Sequence, residues 1–243
     1  MIPIPSKRLA SALNLKEREL LALVGGGGKS TLLFQLARSL NRRTIVTTTT
    51  KMGERQTGGL EVIEAPFTRP LESWSGTSPV LVRAGVKDGK SIGVRPSVCD
   101  DWFSDHSLCD VVLVEADGAR HRPFKAPANF EPMLPDKTTT VLAVIGADAL
   151  GRVIADQCHR PLRVAAVAGC SPYERLTPAR AATVLTSPPG SFKGCPTQAR
   201  KVVVITKVQS RQNDPTTALL VDELVDSLTP NNEVVSIEFE HVE

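Results

Sequence analysis

The apolar positions near the start of the chain follow two different spacings. Residues 19–24 are almost wholly apolar, which predicts a short strand buried on both faces. After four glycines, leucines at 32, 33, 36 and 40 recur with the spacing of one helix face, so a helix is predicted over 29–40. A β-branched run at 44–49 predicts a second strand. Strand, helix and strand in this order indicate a parallel, right-handed βαβ unit.

Later apolar runs predict the other elements. We predict strands at 61–65, 80–84, 111–114, 139–145, 202–206 and 234–239, and helices at 96–104, 177–185 and 215–228. Residues 53–79 are rich in Gly, Pro, Ser and Thr, which indicates loops around edge strands. Four prolines in 118–137 predict an irregular surface loop. Prolines also divide residues 147–201 into short pieces, which predicts a small helical or irregular insertion.

Composition agrees with an α/β sheet and narrows the class of protein. Aromatic residues are only 4% of the chain, and Val, Leu, Ala and Ile carry its apolar content, as in buried parallel strands. The net charge of +3 is spread along the chain, so no nucleic-acid partner is indicated. Without a run of about 18 apolar residues, no membrane span is expected. Five cysteines without a CxxC pair favour buried thiols in a reducing, cytoplasmic protein.

The glycine run after the first strand has the features of a phosphate-binding loop. Successive amides can point at phosphate oxygens only where no Cβ intervenes, and the next helix adds its unpaired N–H groups. Lys29 supplies a positive charge and Ser30 a hydroxyl for Mg²⁺. The predicted loop residues are Gly25, Gly26, Gly27, Gly28, Lys29, Ser30 and Thr31. The full GxxxxGK[ST] pattern would have glycine at position 23, where this chain has Leu23, so the loop matches the shortened GxxGK[ST] form. The alternative interpretation of the glycines is a flexible turn before a helix.

Two acidic residues close the apolar run at 111–114. A carboxylate at the end of a buried strand beside a phosphate loop can hold Mg²⁺ and position an attacking group. Glu115 and Asp117 are two residues apart, so in an extended segment both would face the same phosphate. With Ser30 they form the predicted metal site, and with Lys29 the predicted catalytic set. For each carboxylate alone, the alternative is that it caps the following loop.

Other candidate ligands follow the ends of predicted strands. Thr49, Thr50 and Lys51 come after the second strand, at the sheet edge where ligands bind in open α/β folds. Lys207 follows the strand at 202–206, within Thr-Lys-x-Gln, where guanine-binding proteins carry Asn-Lys-x-Asp. Gln209 cannot accept paired hydrogen bonds from guanine as an aspartate does, so the nucleotide is left as ATP or GTP.

The loop after Asp117 is basic. Arg120, Arg122 and Lys125 are predicted to bind a second anionic substrate or to stabilise charge on a transferring phosphoryl group. A solvated basic loop is the alternative, and His121 is expected to be a surface residue.

Three segments together resemble the YqeC family. They are the glycine loop at 23–31, the threonine run at 46–52, and the Glu-Ala-Asp-Gly-Ala-Arg sequence at 115–120 that runs into Phe-Lys-Ala-Pro at 124–127. The resemblance implies a P-loop α/β fold and a role in the maturation of molybdenum hydroxylases that carry a labile selenium ligand. Lys29 and Ser30 would take the phosphate and Mg²⁺ roles, and Glu115 and Asp117 the acidic roles. Thr206 and Gln209 depart from the family's Asn-Lys-Val-Asp form.

The sequence therefore predicts a P-loop NTPase-like α/β fold, a mostly parallel sheet flanked by helices. One domain is expected over residues 1–243, with a possible small insertion at about 147–201. The leading functional hypothesis is a Mg²⁺-dependent protein that hydrolyses ATP or GTP, or transfers a phosphoryl group, in cofactor maturation. A molybdenum hydroxylase or a selenium-delivery protein is the implied partner. The alternatives are a non-catalytic, nucleotide-switched delivery module and an ATP-dependent ligase that activates a carboxylate.

Overall fold

The computed structural model of the protein describes residues 4–5, 8–64, 74–208, 214–228 and 233–238. The strands are β1 (Ile4–Pro5), β2 (Glu19–Gly25), β3 (Thr44–Thr48), β4 (Lys51–Gly53), β5 (Glu61–Glu64), β6 (Val80–Arg83), β7 (Gly85–Lys87), β8 (Lys90–Ile92), β9 (Val111–Glu115), β10 (Phe124–Lys125), β11 (Thr140–Gly146), β12 (Cys158–His159), β13 (Arg200–Thr206) and β14 (Glu233–Glu238). The helices are α1 (Leu9–Ala12), α2 (Lys29–Ser39), α3 (Pro96–Ser104), α4 (Ile154–Gln157), α5 (Pro161–Ala168), α6 (Pro178–Thr186) and α7 (Pro215–Leu228), with a 3-10 turn at Ala147–Ala149.

A nine-stranded parallel sheet forms the centre of the fold, in the order β1-β14-β13-β11-β2-β9-β3-β6-β5. The glycine-loop strand β2 lies between β11 and β9. Because all strands run the same way, their carboxyl ends meet along one edge, where loops collect. Two small sheets accompany it, antiparallel β4-β8-β7 and parallel β10-β12.

Helices cover both faces of the sheet, which explains why its strands are apolar without alternation. On one face, Leu21 and Leu23 pack with Leu32 and Leu36 of α2. The opposite face of β2 packs in a second apolar layer with residues of α3, α5, α6 and α7. The two layers fix β2, and with it the start of α2, in the middle of the molecule.

The predicted fold class is confirmed, since the sheet is mainly parallel and flanked by helices. Helices α3 and α7 have the predicted bounds, and the predicted central strands shift by one or two residues. The hairpin of β7 and β8 was not predicted. Residues 147–201 contain three short helices and β12. The predicted ends of two strands, at 65 and 239, lie outside the described residues, as does Gln209.

Other sequence expectations concern cysteines and membranes. All five cysteines are free thiols, and three of them, Cys99, Cys109 and Cys158, are buried as predicted. Burial raises the pKa of Cys109 and of Cys158 to about 12. In the described part of the chain, no helix is both long and apolar enough to span a membrane.

Candidate functional site

The loop between β2 and α2 is a tight backbone turn that only glycine fits. Gly25, Gly27 and Gly28 have positive φ angles of 95°, 75° and 96°. The loop also lies against neighbouring backbone: the Gly26 amide donates to the Val144 carbonyl at 2.9 Å, and the Thr206 hydroxyl donates to the Gly27 carbonyl. Helix α2 begins directly after the loop, so its first-turn N–H groups have no partner inside the helix and face an incoming anion.

Gly27→Ala is expected to lower the free energy of unfolding by on the order of 3 kcal/mol, from left-handed strain and overpacking together. A Cβ on Gly27 would lie 2.1 Å from the Gly146 backbone nitrogen, with a φ of 75°. Gly118→Ala is the control, because a Cβ there meets nothing within 4 Å. Urea unfolding of both variants measures the difference. Equal stability would contradict the close approach of Gly27 to β11.

Beneath the loop runs a chain of alternating charges that we call the buried charge chain: Lys29, Asp117, Lys125, Glu131 and Arg160. The nitrogen–oxygen distances along it are 3.2, 3.1, 2.6 and 2.6 Å. Its first four members are buried, and Arg160 is partly exposed. Asp117 also accepts the Gly25 amide at 3.0 and 3.1 Å. The charge chain therefore connects the glycine loop to the residue that precedes α5.

Lys29 keeps its charge within this chain. Burial lowers the pKa of its ammonium group, but Asp117 and Glu115 outweigh burial, so the pKa is raised overall. The Lys29 Nζ also donates to the Gly25 carbonyl at 2.5 Å. A cation is thereby held beside the glycine loop, in a place with little access to water.

Glu115 and Asp117 take separate positions. Strand β9 ends at Glu115, so strand alternation does not fix the side chain of Asp117 relative to that of Glu115, and a phosphate shared by the two carboxylates stays a prediction. Glu115 accepts a hydrogen bond of 2.6 Å from the Ser30 hydroxyl and lines the cavity above the glycine loop. Asp117 lies under the loop and does not line that cavity. Burial raises the pKa of Glu115, although Lys29 and the Ser30 hydrogen bond oppose the rise.

A cavity of about 750 Å³ opens above the glycine loop. Its lining residues come from the loop itself, the ends of β3 and β9, the hairpin at β8, and the segments around 118–133 and 159–160. The predicted site residues that line it are Gly26, Gly27, Gly28, Lys29, Ser30, Thr31, Thr49, Thr50, Lys51, Glu115, Arg120 and Arg122. Residues from distant parts of the sequence thus converge on one site.

Besides Asp117, three predicted site residues do not line the cavity. Gly25 is the last residue of β2 and does not line the cavity. Lys125 is fully buried within the charge chain, so the structure does not place it where a substrate would touch it. Lys207, with a φ of 56°, pairs with Asp148 at 2.6 Å on the opposite side of the glycine loop. Its role at a base stays a prediction.

Sequence reasoning missed one wall of the cavity, which we call the far wall: Phe130, Glu131, Met133, His159 and Arg160. The β10–β12 pairing brings the segments at 130–133 and 159–160 together. Strands of two residues are too short to be predicted from a local sequence pattern. The available signal was Glu131, an acidic residue in a proline-rich segment. Burial and the charges of Arg160, Lys125 and Arg120 lower the pKa of His159 to about 4, with Glu131 opposing the shift.

The parallel sheet, the strand–glycine loop–helix unit and the Ser30–Glu115 pair define a P-loop α/β protein. A family model described as "YqeC protein" matches residues 21–162. The YqeC protein of Escherichia coli (strain K12) is 34% identical over 205 residues, which cover 82% of this chain and 79% of that protein. The chain belongs to the YqeC family.

Among solved structures, the hydrogenase maturation factor HypB from Archaeoglobus fulgidus is similar to this chain, with a TM-score of 0.40 and 10% identity. The match covers 96% of this chain and 87% of that one.

Proposed function

We propose that this protein binds a nucleoside triphosphate with Mg²⁺ and hydrolyses it or transfers its terminal phosphoryl group. The observation that carries the proposal is the 2.6 Å contact of Ser30 with Glu115, next to the glycine loop and Lys29. A hydroxyl from the loop and a carboxylate from the neighbouring strand are the groups with which P-loop enzymes hold their metal. Lys29 supplies a buried cation for the phosphates.

The residues present fit Mg²⁺ rather than a metal that needs a protein cage. The Ser30 hydroxyl and the Glu115 carboxylate are hard oxygen ligands, which Mg²⁺ prefers. In the described part of the chain, no cluster of three His, Cys, Asp or Glu side chains is placed to hold an ion. Mg²⁺ commonly takes one or two protein ligands together with phosphate oxygens. When bound, it would neutralise phosphate charge, and Glu115 would anchor it.

The Ser30–Glu115 pair also indicates how the triphosphate would be oriented in the cavity. Ser30 and Glu115 would hold the metal that neutralises the terminal phosphates, so the γ-phosphate would lie near them, on the β9 and β3 side of β2. The nucleoside then lies toward β11 and β13, where Lys207 follows β13. Thr49, Thr50 and Lys51 are on the γ-phosphate side and line the cavity there. The base itself, adenine or guanine, stays open.

The chain belongs to the YqeC family, and the resemblance to that family implies a role as an accessory factor for molybdenum hydroxylases with a labile selenium ligand. The partner would be such a hydroxylase or a selenium-delivery protein, in the cytoplasm. A non-catalytic module that uses nucleotide as a switch is the second candidate, because the Lys29–Asp117 contact gives nucleotide a direct connection to the buried charge chain. A carboxylate-activating ligase is the third, suggested by the shortened loop.

Glu115→Gln tests the site, because it removes the charge of the metal ligand and keeps an oxygen for the Ser30 hydrogen bond. ATP or GTP should stabilise the wild type more strongly when Mg²⁺ is present, and we expect this additional stabilisation to be smaller in the variant. Phosphate release should fall by about a hundred-fold, since metal charge stabilisation is worth several kcal/mol. Thermal unfolding with either nucleotide, with Mg²⁺ or with EDTA, and a phosphate assay measure both.

Asp101→Asn is the matched control, because this carboxylate is exposed on α3 and does not line the cavity. Stabilisation of the wild type without phosphate release, even with a partner hydroxylase, would favour the switch module over the enzyme. No stabilisation by any nucleotide would overturn the proposed function.

A further inference from the structure

The cavity contains more positive charge than a nucleotide needs. Among the described residues, six lysines and arginines line it against two glutamates, an excess of four positive charges. The buried pair of Lys125 and Asp117 leaves this balance unchanged. A nucleoside triphosphate carries about four negative charges and its Mg²⁺ two positive ones, so about two positive charges remain. The remaining charge suits a second anion in the same cavity.

The unused cations lie on the γ-phosphate side. The six cationic residues of the lining are Lys29, Lys51, Lys90, Arg120, Arg122 and Arg160. Among the described residues, the side chains of Lys51, Lys90 and Arg120 make no hydrogen bond and no ion pair. Arg120 and His121 have positive φ angles of 49° and 61°. Non-glycine residues held in this region are strained, and such strain collects at ligand sites.

The loop that carries Arg120 is fixed at both ends. The Lys125 ammonium donates to the Gly118 carbonyl at 2.7 Å, and the Gly27 amide donates to the Arg122 carbonyl at 3.1 Å. The strained backbone between them therefore has firm supports. Arg120 is therefore presented to the cavity by a loop that is hydrogen-bonded at both ends.

The far wall adds an apolar surface to this charge. Phe130 is 68% exposed and lines the cavity, and so does Met133, three residues further along the chain and 37% exposed. The Arg160 guanidinium lies 5.9 Å from the centroid of the Phe130 ring. The Met133 amide donates to the Ala116 carbonyl, and Thr49 donates to the Met133 carbonyl, so this wall is tied to the ends of β9 and β3. An exposed aromatic ring in a cavity that is also lined by unpaired cations suits a planar anion.

We propose that the far wall, together with Arg120, binds a second ligand: an aromatic or heterocyclic compound that carries a phosphate or carboxylate group. Its ring lies against Phe130 and Met133, and its anionic group meets Arg120 and the N–H of His159. His159 is neutral at pH 7, as its lowered pKa requires, so it offers one ring N–H as a donor. This inference rests on the proposed function, because it takes the glycine loop as the nucleotide site.

The test uses phenyl phosphate as the probe, on full-length protein saturated with Mg²⁺ and a non-hydrolysable nucleotide analogue. Calorimetric titration should show one saturable site per chain, with a dissociation constant on the order of 1 mM or below, as for a small fragment. Benzoate shows whether a carboxylate serves as well as a phosphate. Methyl phosphate should bind more weakly, because it lacks the ring.

Two variants and two matched controls locate the probe. Phe130→Ala and Arg120→Gln should each weaken binding by about tenfold, from the loss of ring stacking or of a charge-assisted hydrogen bond. Tyr173→Ala removes an aromatic ring that is 80% exposed elsewhere, and Arg95→Gln removes an exposed arginine at the start of α3. Both controls should bind the probe as the wild type does.

Three outcomes would overturn the inference: no saturable binding of either aryl anion, binding that Phe130→Ala and Arg120→Gln leave unchanged, or displacement of the probe by the nucleotide analogue. Displacement would mean that the probe occupies the glycine loop. Failure of the proposed function is a different result, since the analogue would then not stabilise the protein at all. In that case the titration is repeated without nucleotide, and the same two variants decide whether the second site stands alone.

Discussion

Lys29→Ala is expected to abolish most of the stabilisation that nucleotide gives to this protein. A buried, hydrogen-bonded charge pair loses about 2–5 kcal/mol when one partner is truncated, which weakens binding by at least thirty-fold. At a nucleotide concentration of one hundred times the wild-type Kd, the wild type gains about 2.7 kcal/mol. A hundred-fold weaker variant would gain only about 0.4 kcal/mol. Chemical unfolding with and without nucleotide measures both gains.

The stabilisation by nucleotide must be measured relative to each protein's own free energy of unfolding without nucleotide. The reason is that Lys29→Ala also removes the ion pair with Asp117 and so changes stability in the absence of nucleotide. Lys87→Ala is the matched control, because this lysine is exposed on β7 and does not line the cavity. We expect it to keep most of the nucleotide gain. A Lys29→Ala variant that gains as much as the wild type would remove the glycine loop as the nucleotide site.

The central part of the fold could be predicted from the sequence because its signals are local. Buried parallel strands are continuous apolar runs, and the leucine spacing after the glycines marks the face of α2 that packs on β2. The glycine loop was equally clear, because four glycines before Lys29 have few other uses. Serine and glutamate then meet in space because β9 is the neighbour of β2. Sequence predicted those two residues, although it could not predict which strands are adjacent.

Errors arose where contacts with distant residues, rather than a local pattern, determine the position of a side chain. Lys125 looks like a member of a basic loop, yet the β10–β12 pairing turns it inward, between two carboxylates. Asp117 looks like a second ligand beside Glu115, but it comes after the strand has ended and caps the Gly25 amide instead. Both outcomes depend on contacts with distant residues, such as Glu131 and Arg160. The local pattern of residues along the chain does not predict such long-range contacts.

Lys125→Met is expected to lower the free energy of unfolding by about 3–5 kcal/mol, the usual loss when one partner of a buried ion pair is removed. Lys125 lies between Asp117 and Glu131, and all three side chains are buried. Methionine replaces most of the apolar stem but leaves two buried carboxylates without their shared cation. Lys90→Met, at an exposed lysine of the same cavity, should change stability by no more than about 0.5 kcal/mol.

The pH dependence separates lost charge from lost packing. Burial raises the pKa of Glu131, but the hydrogen bond and charge of Lys125 outweigh it and hold the pKa below its ordinary value of 4.5. A lowered carboxyl pKa stabilises the fold above the unfolded pKa, and that stabilisation is lost as pH falls through the folded pKa. The difference in the free energy of unfolding between the wild type and Lys125→Met should therefore become smaller when the pH is lowered below about 4.5. A gap that stays constant with pH would mean that Lys125 acts through packing alone, and the buried charge chain would lose its electrostatic basis.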